Sequence, residues 1–133
     1  MMAPKDFREL EDMLTYALSL NEPVVIRYPR GGQAKVPFSK HEAIEKGRAE
    51  ILQEGKDISI IAIGNMVAKA MDYAKSLQQY GKEAEVINVR FLKPLDESTL
   101  LKSIQKTKRV ITIEDNILKG GLASSVMELI VRH

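Results

Sequence analysis

The stretch ISIIAIGNMVAKAMDYAKSLQQYGKEAEVINVRF, residues 58–91, decides the fold class of this chain. It opens on an apolar, β-branched run, Ile58 to Ile63, that is typical of a strand covered on both faces. Apolar side chains then recur at helical spacing as far as Leu77, and Asn65 is a candidate N-cap for that helix. Residues 86–91 form a second apolar run, so the stretch predicts two parallel strands joined by a right-handed helical crossover.

The alternation of strands and helices continues downstream. Asp96 is a strong N-cap candidate, and Gly120 and Gly121 precede the last apolar helix. Two further helices and a third strand are predicted, over residues 97–106, 122–131 and 110–113. We therefore predict a three-layer α/β/α fold with a mostly parallel sheet and helices on its faces.

The first part of the chain has a different pattern. Residues 5–20 are predicted to form a helix that ends at Asn21-Glu22-Pro23, and residues 24–28 a short buried strand. Residues 33–56 carry mixed charge and only scattered apolar side chains, which is typical of a linker. The sequence thus predicts the tail of one domain over residues 1–32, a linker over residues 33–56 and a second domain over residues 57–133.

Composition limits the classes of function. The chain has 133 residues, of which 44% are hydrophobic and 29% charged, an ordinary balance for a soluble domain. Its net charge of +2 is too small to argue for nucleic-acid or membrane binding. The absence of cysteine excludes disulfides and thiolate zinc sites and fits a cytoplasmic origin. His41 and His133 are the only histidines, and neither stands out as a catalytic group.

Few motifs carry chemistry by themselves. Gly120 and Gly121 could let a helix N-terminus bind an anion, but close packing of that helix is the favoured interpretation. Glu114 and Asp115 follow a parallel strand, at the edge where open α/β sheets bind ligands. Because adjacent carboxylates in a strand point to opposite faces, we interpret them as solvated loop residues or a subunit contact rather than as an acid–base pair.

The stretch VVIRYPRGG, residues 24–32, holds two arginines in different positions. Arg27 lies within the predicted strand and is expected to pair structurally. Arg30 follows Pro29 past the end of that strand, where two glycines let a ligand come close. The planar guanidinium of Arg30 suits a phosphate group, although a surface arginine in a turn is the simpler interpretation of the residues alone.

Three blocks of sequence carry a family resemblance: RYPRG at residues 27–31, VINVRFLKPLD at residues 86–96 and EDNILKGG at residues 114–121. Together they resemble the 1-deoxy-D-xylulose-5-phosphate synthase family over nearly the whole chain. The last two blocks occur in looser form across the wider transketolase-like group, whereas RYPRG is more specific. The resemblance implies that residues 1–32 end a pyrimidine-binding domain and that residues 57–133 are a C-terminal domain whose last strand and helix are missing.

The resemblance also implies an activity, that of a transferase dependent on thiamine diphosphate and Mg²⁺. Such an enzyme is a cytoplasmic homodimer that decarboxylates pyruvate and transfers the two-carbon unit to D-glyceraldehyde 3-phosphate. Its product feeds isoprenoid, thiamine and pyridoxal precursors. Arg30 matches an arginine of the family that holds the phosphate of the aldehyde substrate.

The family's other functional residues are not found in this sequence. The G-D-G metal motif, the acidic residue that activates thiamine and the catalytic histidines are absent, and His41 matches none of them. We therefore expect no catalytic, cofactor-binding or metal-binding residue on this chain, and by itself we expect it to be inactive. Two alternatives remain: a fragment of a 2-oxoacid dehydrogenase E1 β subunit, and a non-enzymatic α/β binding module that uses Gly64, Arg90 and Glu114.

Overall fold

From residue 57 onward the secondary structure follows the predicted alternation, and a strand that was not predicted precedes it. The structure, a computed structural model, describes residues 1–31, 38, 41–117 and 119–133. Within those ranges the elements are α1 (Phe7–Ser19), β1 (Glu50–Gln53), β2 (Ile58–Ala62), α2 (Met66–Gln78), β3 (Ala84–Asn88), α3 (Glu97–Thr107), β4 (Val110–Ile113) and α4 (Leu122–Arg132). Gly32, residues 33–37, 39 and 40 of the predicted linker, and Leu118 lie outside the described residues.

The strands form a mixed sheet in the order β1-β3-β2-β4. β2 is central and pairs in parallel with both β3 and β4, so that Ile61 lies opposite Ile87 on one side and Thr112 on the other. β1 lies at the edge and pairs antiparallel with β3. The three parallel strands confirm the predicted mostly parallel sheet.

Helices cover both faces of the sheet because the side chains of β2 alternate. Ile60 and Ala62 belong to one apolar cluster, in which they pack with three side chains of α2, namely Val67, Ala70 and Ala74. Ile61 belongs to a second cluster, which contains the buried apolar residues of α3 and α4, namely Leu100, Leu122, Val126 and Leu129. This arrangement confirms the predicted α/β/α layers. Among the described helices, none has both the length and the apolarity needed to cross a membrane.

The helix caps agree with the sequence at Asp96 and disagree at Asn65. The Asp96 carboxylate accepts a hydrogen bond from the Thr99 amide at 3.1 Å, which confirms the predicted N-cap of α3. The Asn65 side chain makes no capping bond. Asn65 has helical backbone angles, φ −57° and ψ −18°, whereas a capping side chain needs an extended residue.

Two expectations about strands in the first half of the chain are wrong. Residues 24–28 do not form a strand, and only Ile26 makes an isolated bridge, parallel to Met2. The predicted linker, in contrast, contains β1, which sequence analysis missed because its Glu50 is charged yet fully buried. The domain boundaries after residues 32 and 56 stay a prediction, with the addition that the second half of the predicted linker supplies a strand to the sheet.

Replacement of Asp96 should expose the cost of losing the α3 cap. Burial by itself raises the pKa of the Asp96 carboxyl, but hydrogen bonds from the amides of Ala49 and Thr99 and from two hydroxyls outweigh it and hold the pKa below its usual value. Asp96→Ala should therefore lower the free energy of unfolding by about 1–2 kcal/mol at pH 7, measured by urea denaturation.

The pH dependence of this stability loss tests whether the ionised Asp96 carboxylate causes it. A carboxyl whose pKa is lower in the folded state stabilises the fold above its unfolded pKa, and this stabilisation is lost as pH falls toward the folded pKa. The difference between wild type and Asp96→Ala should therefore shrink below about pH 4. Asp72→Ala, at an exposed position on α2, is the control and should change stability by less than about 0.5 kcal/mol. A difference that stays constant with pH would argue against the carboxylate cap.

Candidate functional site

The carboxyl edge of the sheet is covered by the beginning of the chain. Met2 bridges Ile26 on one side and Phe91 on the other, and the Ala3 amide donates to the Arg90 carbonyl at 2.9 Å. A Cβ atom placed on Gly64, just after β2, would lie 3.5 Å from the Ala3 side chain. Open α/β sheets usually bind ligands at this edge, and here residues 1–4 lie across it.

Four buried charged side chains and one amide form a network beneath this segment: Lys5, Glu9, Glu50, Asn88 and Arg90. Lys5 Nζ lies 3.0 Å from Glu9 Oε1 and 2.8 Å from Glu50 Oε2. Arg90 Nε lies 2.7 Å from Glu9 Oε1, and an Arg90 terminal nitrogen lies 3.2 Å from Glu50 Oε2. Asn88 Nδ2 donates to Glu9 Oε1 at 3.0 Å. The two cations balance the two carboxylates, so the network carries no net charge.

The network is saturated with hydrogen bonds, as a buried charge cluster must be. Arg90 also donates to the carbonyls of Glu42 and Ala43, at 3.0 and 3.3 Å. Within the described residues, no buried side-chain nitrogen or oxygen is left without a partner. The network connects α1 to β1 and β3, and thus joins the predicted tail of the first domain to the sheet of the second.

Glu114 occupies the N-terminus of α4. Its carboxylate accepts hydrogen bonds from the amides of Leu122 at 2.8 Å and Ala123 at 2.9 Å. A Cβ atom on Gly121 would overlap that carboxylate, which confirms close packing at this glycine. Glu114 lies in a loop, as predicted, but its carboxylate is bound at the helix N-terminus rather than left to solvent, and the alternative of a subunit contact stays a prediction.

The proposed binding module at the sheet edge is therefore not supported. Gly64 is covered by Ala3, Arg90 is buried in the charge network, and Glu114 caps α4. None of the three residues that this alternative needs presents a group to a ligand.

The RYPRG segment is held at its first arginine and exposed at its second. The Arg27 amide donates to the Met2 carbonyl at 2.8 Å, and its guanidinium donates to the carbonyl of Asp115. Arg30 is exposed, and the structure shows no hydrogen bond or ion pair between it and another described residue. Gly31 follows with a φ of +122°, a conformation that side chains rarely adopt. Arg27 pairs structurally, as predicted.

A small apolar cleft of about 60 Å³ lies beside Arg30. Its lining includes both neighbours of Arg30 and three aromatic rings, namely Pro29, Gly31, Phe7, Tyr28 and Phe38. Arg30 therefore lies at the rim of a cavity that is too small for a large cofactor. An arginine beside such a cleft can hold a small anionic group from one side.

The acidic and histidine side chains of the described residues do not form a metal site. Across those residues there is no group of three or more histidine, aspartate or glutamate side chains placed to hold a metal ion. His41 Nε2 lies 3.1 Å from the Phe38 carbonyl and 3.9 Å from Asp6 Oδ2, in contact with the N-cap of α1. The described residues therefore provide no ligand set for Mg²⁺.

Comparison with known proteins shows similarity to transketolase-type enzymes. The family model described as "Transketolase, C-terminal domain" matches residues 47–133. The chain is 46% identical over 132 residues to the 1-deoxy-D-xylulose-5-phosphate synthase of Desulforudis audaxviator, which covers 98% of this chain and 21% of that protein. It is 47% identical over 130 residues to the synthase of Desulfitobacterium hafniense, with 97% and 21% covered. The chain thus spans about a fifth of the length of the curated relatives it matches.

Solved structures agree with this result. A chain described as a split gene transketolase, inactive beta4 tetramer, superposes with a TM-score of 0.92 at 37% identity, over 98% of this chain and 43% of that chain. A mutant transketolase of Pichia stipitis gives a TM-score of 0.68 at 21% identity, over 90% of this chain and 18% of that chain, which supports the fold alone. The matches confirm the resemblance to the synthases and favour it over the E1 β alternative.

Removal of the Arg90 side chain should strongly destabilise the chain. Arg90→Ala leaves Glu9 and Glu50 buried with one cation fewer, and loss of one partner from a buried ion pair typically costs about 3–5 kcal/mol. The free energy of unfolding from urea denaturation measures this loss. Arg48→Ala removes an arginine that is exposed, with an ion-pair distance of 3.6 Å to Glu45, and should cost less than about 1 kcal/mol. Equal losses in the two variants would show that the network is energetically unimportant.

Proposed function

The chain belongs to the transketolase C-terminal domain family, and on that premise we propose that it forms the C-terminal part of a 1-deoxy-D-xylulose-5-phosphate synthase. The observation that carries the proposal is similarity at 46% identity over 98% of the chain. The whole enzyme decarboxylates pyruvate and transfers the two-carbon unit to D-glyceraldehyde 3-phosphate, for isoprenoid and thiamine precursors. It acts as a cytoplasmic homodimer.

The parts of the chain have different roles in this proposal. Residues 1–32 end the pyrimidine-binding domain, and residues 57–133 form the C-terminal domain. Residues 33–56 are the linker between the two domains. The buried network of Lys5, Glu9, Glu50, Asn88 and Arg90 supports the proposal because it attaches the first part rigidly to the sheet of the last. The C-terminal domain then serves as a structural support for the substrate site and for the dimer.

Arg30 is the residue of this chain that we assign to substrate. It is exposed, has no hydrogen-bonding or ionic partner among the described residues, and lies beside a cleft lined by Pro29 and Gly31. Its guanidinium can donate two parallel hydrogen bonds to the phosphate of the aldehyde substrate. Thiamine diphosphate and Mg²⁺ supply the carbanion chemistry of the whole enzyme, and we assign their binding to residues outside this chain.

Replacement of Arg30 tests the assignment. In the full-length enzyme, Arg30→Ala should raise the KM for D-glyceraldehyde 3-phosphate about 10- to 100-fold, since a hydrogen bond to an ionised group is worth about 1.5–3 kcal/mol. The KM for pyruvate should change much less. Steady-state kinetics with each substrate varied in turn give both values.

Arg109→Ala is the matched control for this experiment. It removes one positive charge from an exposed arginine just before β4. This arginine lies at the amino end of the parallel strands, opposite the carboxyl edge, and its loss should leave both KM values unchanged. If Arg30→Ala raises the two KM values equally, or if it raises neither of them, the assignment of Arg30 to the phosphate is wrong.

The isolated chain provides a second test. Calorimetric titration of the 133-residue chain with thiamine diphosphate and Mg²⁺ should show no saturable heat, because its described acidic side chains are not grouped to hold a metal. The full-length enzyme is the positive control. Tight binding to the isolated chain would contradict the assignment of cofactor binding to other residues.

A further inference from the structure

We propose that Arg27 is a positioning residue that holds the RYPRG segment against the loop after β4 and thereby places Arg30. The inference rests on the proposed function, since it gives Arg30 the phosphate-binding role. It goes further by assigning a task to the first arginine of the segment and to the C-terminal domain, whose Asp115 carbonyl accepts the Arg27 guanidinium.

Arg27 is held from two directions. On one side its amide donates to the Met2 carbonyl at 2.8 Å, and the Met2 amide donates back to the Val25 carbonyl at 2.8 Å. On the other side its guanidinium reaches 88 residues along the chain to the carbonyl of Asp115. A hydrogen bond from a charged donor is stronger than a neutral one, so this contact can fix an exposed segment that lacks a strand ladder.

The loop that receives Arg27 is itself anchored. Glu114, the neighbour of Asp115, accepts hydrogen bonds from the first two amides of α4. Arg27, Glu114, Asn116 and Leu122 line one small cavity of about 20 Å³, roughly the space of a single water molecule. The Asp115 carbonyl is therefore held close to a buried helix end, and it can serve as a fixed point for Arg27.

The position of Arg30 depends on this anchor because no hydrogen bond or ion pair with another described residue orders its side chain. Two residues separate Arg27 from Arg30, and Pro29 restricts the backbone between them. On the far side, a Cβ atom on Gly31 would meet no described atom within 4 Å. An arginine three residues from the anchor is at most about 10 Å away, so a loosened anchor displaces it directly.

Kinetics of the full-length enzyme test the positioning role. Arg27→Ala should raise the KM for D-glyceraldehyde 3-phosphate about tenfold while the KM for pyruvate changes little. Arg27→Lys should recover most of the loss, because an ammonium group can donate to the same carbonyl. Thermal denaturation of each variant checks that the fold persists, and Arg109→Ala again controls for the loss of an exposed charge.

A double-mutant cycle separates positioning from direct attraction of the phosphate. If Arg27 acts through Arg30, Arg27→Ala should add almost nothing to the KM already raised by Arg30→Ala. If Arg27 attracts the phosphate independently, the two effects should multiply. Multiplicative effects, or an unchanged KM in Arg27→Ala, would overturn the proposal.

Amide hydrogen exchange on the 133-residue chain tests the anchor without any substrate. The amides of Met2 and residue 27 should exchange about tenfold faster in Arg27→Ala than in wild type, whereas buried amides of β3 should not change. Unchanged exchange at both positions would overturn the anchor. If Arg30→Ala has no selective effect on KM, the phosphate role of Arg30 fails together with the kinetic part of this inference, and the exchange rates still decide whether Arg27 holds the segment.

Discussion

The buried network of Lys5, Glu9, Glu50, Asn88 and Arg90 is the interaction on which the rest of the structure depends. Removing four charges from water is expensive, and a network of this kind stabilises the fold only when every donor and acceptor is paired. Because the five partners come from three separate segments of the chain, the network forms only when α1, β1 and β3 meet in one register. It thus selects a single arrangement of the first residues on the sheet.

This arrangement makes the carboxyl edge of the sheet inaccessible to a ligand. In open α/β sheets the carboxyl edge normally presents loops to a ligand, but here residues 1–4 cover it and α4 receives its anion from Glu114. The RYPRG segment is exposed beside the covered edge, with Arg27 bound to the Asp115 carbonyl and Arg30 facing outward. The domain acts in this proposal as a support for a substrate-binding arginine that belongs to the neighbouring part of the chain.

Sequence patterns were sufficient where a structure is encoded locally. The apolar runs predicted β2 and β4, helical spacing predicted all four helices of the described residues, and Asp96 was identified as a cap from its residue type and position. They failed for β1, since Glu50 looks like a solvent-exposed residue until its cations are known. They also failed for residues 24–28, where β-favouring side chains form only one bridge because no second strand lies alongside within the described residues.

The sequence by itself determined the fold class, because the spacing of apolar residues encodes strands and helices locally, and its motif blocks carried the resemblance to the family. Only the tertiary structure decided which polar groups are already used. Glu114 and Arg90 both looked like possible ligand groups in the sequence. In the structure Glu114 binds the amide of Leu122, 8 residues away, and Arg90 binds the carboxylate of Glu9, 81 residues away. Such pairings depend on where the chain returns in space, and a linear pattern does not contain that information.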